Sequence, residues 1–182
     1  MMSDNDFKSD LMKAIPSLRA FAISLSGKVD RADDLVQETL LKAWAHRDSF
    51  TPGTNLRAWL FTILRNEFYT FFRKRKREVE DADGAIAATV GIHPEQEGHL
   101  DLADMQRALG KLPVDQREAL LLVSASDMSY EEAAEICGVA VGTIKSRVNR
   151  ARNKLTELLG LSQVPEIGPD NNVKSALAAE AR

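Results

Sequence analysis

Apolar residues recur at steps of three and four along most of this chain, which is the spacing of amphipathic helices. The first predicted helix runs from Phe7 to Leu25. Pro16 is expected to kink or restart it, and Gly27 to end it. A second helix is predicted from Asp30, taken as its N-cap, to Trp44.

A Pro-Gly turn within residues 50–55 precedes a long helix rich in aromatic residues, predicted over Leu56–Arg73. Helical spacing returns over residues 101–110, and Leu112-Pro113 opens a further helix. No alternation of apolar and polar residues indicates a strand. The predicted fold is all-α, with three helices in a first domain and four in a second.

Composition divides the chain further, because residues 78–100 lack helical spacing and contain glycine and proline. The helical pattern also stops after residue 160. The predicted organisation is two small helical domains at residues 1–77 and 101–160, a flexible acidic linker at 78–100 and a disordered tail at 161–182.

The stretch from Ser129 onwards predicts a helix-turn-helix. Ser129 and Glu132 have the spacing of a capping box, which starts a helix. Gly138 lies where the turn requires a positive φ, and a second helix should begin between Val141 and Thr143.

The second helix of this pair carries five basic residues and no acid between Lys145 and Lys154. Its polar face suits a major groove, with Arg150 and Lys145 near guanine edges, Asn149 near adenine, and phosphates near the flanking arginines. A solvated charged face, or a face for a protein partner, is the alternative. The candidate DNA contacts are Thr143, Lys145, Ser146, Arg147, Asn149, Arg150 and Arg152.

Two further polar faces stand out on predicted helices. One on the aromatic helix combines hydroxyl, amide, guanidinium and phenol groups, which suit a nucleic-acid backbone and an unpaired base. The other, near the start of the second helix, is acidic and suits either a basic partner or ordinary solvation. Their members are Thr62, Arg65, Asn66, Tyr69 and Arg73 on the first face, and Asp33, Asp34, Gln37 and Glu38 on the second.

Charge is distributed unevenly, although the net charge of the 182 residues is only −3. Residues 73–77 are five consecutive cations, whereas residues 78–104 hold eight acids and no lysine or arginine. Two basic segments separated by an acidic one indicate two nucleic-acid contacts on a tethered chain.

Several classes of protein and of site are disfavoured. The chain has one cysteine, Cys137, and therefore no intrachain disulfide. His93 and His99 match no metal-site spacing, so neither metal nor cofactor is expected. No catalytic constellation indicates an enzyme. No secretory signal or membrane-spanning run is evident, so a cytoplasmic protein with no membrane partner is expected.

Taken in order, these motifs resemble bacterial RNA polymerase sigma factors of the extracytoplasmic-function (ECF) type, over about residues 9–160. Residues 33–44 are similar to sigma region 2.2, and residues 55–66 to regions 2.3 and 2.4. Residues 112–147 are similar to region 4. Residues 50–55 and 61–68 further resemble the general-stress-response group of alphaproteobacteria.

The resemblance implies a factor that directs RNA polymerase core to promoters, as a monomer when free, with the acidic face on the β′ clamp helices. It binds promoter DNA both as duplex and melted, and an anti-sigma factor holds it inactive. The helix-turn-helix would read the −35 element, and the loop at Asn55 would hold a flipped base. The implied −10 contacts are Asn55, Arg57, Thr62, Arg65, Asn66, Tyr69 and Arg73.

Two other functions fit parts of the pattern. A stand-alone helix-turn-helix regulator would need a dimerisation surface, and no obvious helix supplies one. A sigma-like helical interaction module would keep the shape without DNA-facing cations, whereas this chain retains Lys145 and Arg150.

Overall fold

A computed structural model describes residues 4–80 and 102–160 of the chain. The predicted tail and all but the first three residues of the predicted linker lie outside this described part. The helices α1–α3 belong to one compact unit, here the N-terminal unit, and α4–α7 to another, the C-terminal unit. The helices are α1 Asp4–Ser26, α2 Val29–Ala45, α3 Leu56–Glu80, α4 Leu102–Gly110, α5 Val114–Ser124, α6 Tyr130–Cys137 and α7 Val141–Leu158.

The prediction of an all-α fold is confirmed, with three helices in the first unit and four in the second over the described ranges. A short 3₁₀ turn at Arg47–Ser49, which the sequence pattern did not predict, leads from α2 towards α3. None of the residues that the structure describes forms a strand.

Aromatic rings hold the N-terminal unit together. The ring of Phe7 on α1 lies 6.2 Å from that of Phe50 and 6.4 Å from that of Trp59. Deeper in the unit, Phe21 meets Phe61 edge-on at 4.9 Å. Burying each such side chain contributes roughly 1.5–3 kcal/mol, so this cluster fixes how α1 packs on α3. Leu18, Leu60 and Leu64 complete the fully buried centre.

Ion pairs tie α2 to both neighbouring helices. Arg19 on α1 donates to both carboxylate oxygens of Asp33, from Nε at 2.6 Å and from Nη2 at 3.2 Å. Lys42 Nζ lies 2.6 Å from Glu67 Oε1 on α3. Because the Arg19–Asp33 pair is about half exposed, it orients the helices more than it stabilises them.

Two sequence predictions about the first unit need correction, and a third is narrowed. Helix α1 is continuous through Pro16, which excludes a restart there, while the kink stays a prediction. The N-cap of α2 is Lys28, in extended conformation and without a side-chain cap bond, so Asp30 lies inside the first turn instead. Helix α3 extends to Glu80, beyond the predicted end at Arg73 and into the predicted linker.

The C-terminal unit is built around α5, whose residues from Arg117 to Val123 are all buried. This burial includes two charged side chains. Arg117 Nη2 donates to the carbonyl oxygen of Leu112 at 3.2 Å, which closes the turn between α4 and α5. Glu118 is fully buried.

The helix-turn-helix forms as the sequence predicts. Ser129 Oγ accepts from the backbone N–H of Glu132 at 3.1 Å, and the Glu132 carboxylate accepts from the N–H of Ser129 at 2.9 Å. Gly138 ends α6 with φ +65°, and α7 begins at Val141. The capping box and the left-handed glycine therefore set both ends of α6.

Removing the cap should destabilise the C-terminal unit. We expect Ser129→Ala to lower the free energy of unfolding by about 1 kcal/mol, because the N–H of Glu132 loses its acceptor. Guanidinium unfolding followed by circular dichroism measures this change. The control is Glu131→Ala, an exposed neighbour on the same turn, and equal midpoints for the two variants would contradict the role of the cap.

Stability should depend on the charge of Asp33. The hydrogen bond from Arg19 lowers the pKa of Asp33 below its ordinary value of 3.8. As the pH falls, Asp33 is protonated in the unfolded chain before it is protonated in the folded protein. The stabilisation by the Arg19–Asp33 pair is therefore complete well above pH 3.8 and is lost as the pH falls through the pKa of Asp33 in the folded protein. We expect the stability difference between the wild type and Asp33→Asn to shrink as the pH falls below ~5 in chemical unfolding.

The neighbouring Asp34→Asn is the control, because Asp34 is also exposed on α2. A stability gap for Asp33→Asn that stays constant from neutral to acid pH would show that the ion pair contributes nothing.

Candidate nucleic-acid interface

The exposed side of α7 is polar and free of acids until Glu157. Ile144, Val148 and Ala151 are buried on the opposite side, so the helix has one fixed orientation in its unit. The predicted residues Thr143, Ser146, Asn149 and Arg150 are all exposed on the outer side. The arrangement presents hydroxyl, amide and guanidinium donors on one surface without a competing carboxylate.

The flanks of α7 differ from this outer side. Lys145 is exposed, with its Nζ 5.6 Å from the ring centroid of Tyr130 at the start of α6. Arg147 Nε lies 3.2 Å from Oδ2 of Asp115 on α5, and only 22% of the Arg147 side chain is exposed. Arg152 is half-buried. The two predicted phosphate contacts, Arg147 and Arg152, are therefore less accessible than the predicted base contacts.

The predicted polar stripe on α3 is a real surface of the N-terminal unit. Asn66 is exposed, and the guanidinium of Arg65 lies 4.7 Å from the centroid of the Tyr69 ring. Two members bond to their own helix: the Thr62 hydroxyl donates to the Ala58 carbonyl at 3.0 Å, and Arg73 Nε to the Tyr69 carbonyl at 3.3 Å. The stripe therefore centres on Asn66 and the Arg65–Tyr69 pair.

Two of the predicted −10 contacts lie apart from this stripe. Asn55 Oδ1 accepts from the backbone N–H of Ala58 at 3.2 Å and so caps the start of α3. Arg57 projects from another side of the helix, because it lies about 140° around the axis from Thr62 at 100° per residue. Its guanidinium is 5.8 Å from the centroid of the buried Phe61 ring.

The exposed end of α3 carries further cations beyond the stripe. Arg73, Lys74 and Arg77 are exposed. On the opposite side of this segment, the Arg31 guanidinium of α2 stacks on the Phe71 ring at 3.7 Å. The last turns of α3 therefore form a basic surface continuous with the stripe.

The acidic face of α2 is exposed at all four predicted positions, with Asp34 and Gln37 among them. Asp33 is held by Arg19, as described above. Glu38 Oε1 lies 3.7 Å from Lys42 Nζ. The hydrogen bond to Glu67 raises the pKa of Lys42, which therefore remains charged beside this face.

Sequence reasoning did not find the partners of these residues. Asp115, Tyr130 and Arg19 each contact a predicted site residue, yet each lies on a different helix. No local spacing indicates such contacts, because they depend on how the helices pack. Counting charges along one helix cannot reveal contacts with residues on another helix.

Within residues 4–80 and 102–160, no group of three or more histidine, cysteine or acidic side chains is placed to hold a metal ion. In the same ranges no helix combines the length and apolarity that a membrane crossing needs. His93 and His99 lie outside the described residues.

Two family models match the chain and cover both units. Residues 11–78 match sigma-70 region 2, and residues 102–155 match sigma-70 region 4. The first match covers the acidic face, the stripe on α3 and the aromatic core except Phe7. The second covers the helix-turn-helix.

Individual relatives agree with these models. The chain is 61% identical to the ECF RNA polymerase sigma factor EcfG of Rhodopseudomonas palustris, over 95% of this chain and 96% of the relative. It is 35% identical to the RNA polymerase sigma factor CnrH of Cupriavidus metallidurans, over 70% of this chain and 72% of the relative.

One solved structure extends the likeness to three dimensions. In the co-crystal structure of the sigma factor RpoE with the anti-sigma factor NepR from Bartonella quintana, one chain is 63% identical to this chain. The TM-score is 0.79, over 87% of this chain and 99% of that one. A protein with both sigma-70 regions, this identity and this fold belongs to the ECF family of sigma-70 RNA polymerase sigma factors, which direct the polymerase core to promoters.

Proposed function

We propose that the two units divide promoter recognition, with α7 reading the −35 duplex and α3 meeting the melted −10 element. The acidic face of α2 docks on the β′ clamp helices of the polymerase core. The observation that carries this proposal is the outer side of α7. Exposed Ser146, Asn149 and Arg150 stand on a helix whose other side is locked into the core.

The chemistry of these side chains suits base reading in the major groove. An arginine pairs with two acceptors on guanine, and an asparagine pairs with adenine. Arg150 and Asn149 are both exposed on the outer side of α7, where contact with base edges is open to them. Exposed Lys145 also fits a guanine edge. Arg152 on the flank fits a phosphate, a contact that positions the helix without selecting a sequence.

The stripe on α3 suits capture of an unpaired base. The Tyr69 ring offers a stacking surface, and the Arg65 guanidinium already lies over it. Asn66 provides both a donor and an acceptor beside them. Binding energy from such contacts offsets the few kcal/mol that extruding a base costs, so the protein needs no covalent chemistry of its own.

The exposed Asp34, Gln37 and Glu38 support docking on a basic helical partner. We also propose control by an anti-sigma factor of the NepR type, because RpoE, a sigma factor, is seen in complex with NepR. The protein bound by such a factor is inactive until it is released. Once free, it is a cytoplasmic monomer, and the genes it serves belong to a stress response.

Run-off transcription with core polymerase on a mixed library of promoters tests the proposal. We expect transcripts that share one pair of upstream elements and that appear only when the protein is added. If the protein fails to bind the core, its assignment as a promoter-directing subunit is refuted.

Arg150→Ala should relax the −35 preference in the same assay. Losing a bidentate contact to guanine costs roughly 1–3 kcal/mol at that base. Lys111→Ala is the matched control, because Lys111 is an exposed cation in the same unit but outside α7. An unchanged −35 preference in Arg150→Ala would refute the role assigned to α7.

Tyr69→Ala should weaken binding of the holoenzyme to DNA with an unpaired −10 strand by roughly 1–3 kcal/mol, the contribution of one stacked base. Tyr69→Phe should retain most of the affinity, because the ring remains. Electrophoretic binding to forked templates measures both. Equal losses in the two variants would indicate that the hydroxyl matters rather than stacking.

A further inference from the structure

Arg147 differs from the outer residues of α7 in having an acidic partner within the chain. Its Nε lies 3.2 Å from Oδ2 of Asp115, and its side chain is 22% exposed. Arg150 on the same helix is exposed. A cation paired with a carboxylate contributes little net charge to an approaching phosphate.

Asp115 is held in place independently of Arg147. It lies in the first turn of α5, where the positive end of the helix favours a carboxylate. Helix α5 is the buried centre of the C-terminal unit, and it packs on α7. The packing of α5 on α7 therefore places the carboxylate beside the flank of α7.

The ion pair between Arg147 and Asp115 is weak and therefore reversible. The Asp115 side chain is 42% exposed, and an ion pair so open to solvent is weak and is screened by salt. A phosphate that approaches Arg147 must break this pair and also meets the repulsion of a nearby negative charge, so the contact is disfavoured while the carboxylate is present.

We propose that Asp115 is a positioning residue that restrains Arg147 and so reduces the affinity of α7 for DNA of any sequence. This inference rests on the proposed contact between α7 and the −35 duplex. Phosphate contacts carry no sequence information, so withholding one lowers non-specific binding and leaves base reading intact. Stable occupancy then depends more on the base contacts and on the rest of the holoenzyme.

The test compares the salt dependence of promoter binding for holoenzyme made with the wild type, Asp115→Asn, Arg147→Ala and the double variant. Each neutralised phosphate adds about 0.9 to the slope of log affinity against log salt. Asp115→Asn should steepen the slope by about that amount. The ratio of its promoter affinity to that of the wild type should therefore fall about threefold from ~50 to ~200 mM salt. In the Arg147→Ala background the same substitution should leave the slope unchanged.

Two further variants test whether the effect depends on where the charge is lost and on which residue replaces Asp115. Glu135→Gln removes one exposed acid from α6 of the same unit and should not reproduce the effect. Asp115→Ser, whose side chain also suits a first helical turn, should match Asp115→Asn if folding is intact. Circular dichroism checks folding of every variant.

Three results would overturn the inference. The first is an Asp115→Asn slope equal to that of wild type. The second is an Asp115→Asn effect on the slope that is the same with Arg147 and with Ala at position 147. That result would mean that the charge of Asp115 acts on DNA directly and not through Arg147. The third is weaker binding, which would mean that Asp115 supports a phosphate contact of Arg147. The −35 preference of the Arg150→Ala variant is measured in parallel. An unchanged preference there would refute −35 reading by α7, so that failure is distinguished from a failure of the Asp115 inference.

Discussion

Both candidate DNA surfaces exist because the opposite side of the same helix is buried. In α7, Ile144, Val148 and Ala151 pack into the C-terminal unit and leave Ser146, Asn149 and Arg150 outside. In α3, Leu60, Phe61 and Leu64 are fully buried, whereas Asn66 is exposed. The hydrophobic effect is non-directional, yet burying one stripe of a helix fixes the direction of every other side chain on it. Recognition chemistry on this chain is therefore set by core packing.

Ion pairs along the helix flanks reduce the net charge that each surface presents. Arg19 forms an ion pair with the carboxylate of Asp33, and Asp115 forms one with the guanidinium of Arg147. Lys42 lies near Glu38 and bonds to Glu67. The Arg19–Asp33, Arg147–Asp115 and Lys42–Glu67 contacts each link two helices at the edge of a proposed binding face, whereas Lys42 and Glu38 both lie on α2. Weak ion pairs of this kind are suited to adjusting affinity, because a partner can replace them at little cost.

Periodicity in the sequence predicts the fold class, the helix-turn-helix and the outer residues of α7, because each depends on local spacing. The capping box and Gly138 are local signals of the same kind. The N-cap of α2 is predicted wrongly, since Asp30 carries the typical side chain but Lys28 has the extended backbone. The end of α3 is also missed, because a run of cations without apolar spacing gives no sign that the helix continues to Glu80. The partners of Asp33 and Arg147 lie on other helices, and only tertiary packing brings them together.

The separation between buried and exposed residues on α7 also bears on how such proteins diverge. Substituting an exposed residue away from caps and networks usually changes stability by less than about 0.5 kcal/mol. Ser146, Asn149 and Arg150, the base contacts proposed above, are all exposed, so replacing them can change the proposed base preference while the scaffold stays intact. A duplicated gene can therefore acquire a new set of target promoters through a few surface changes, without first having to recover lost stability. The exposed residues of α7 can therefore change faster in evolution than the fold that holds them in place.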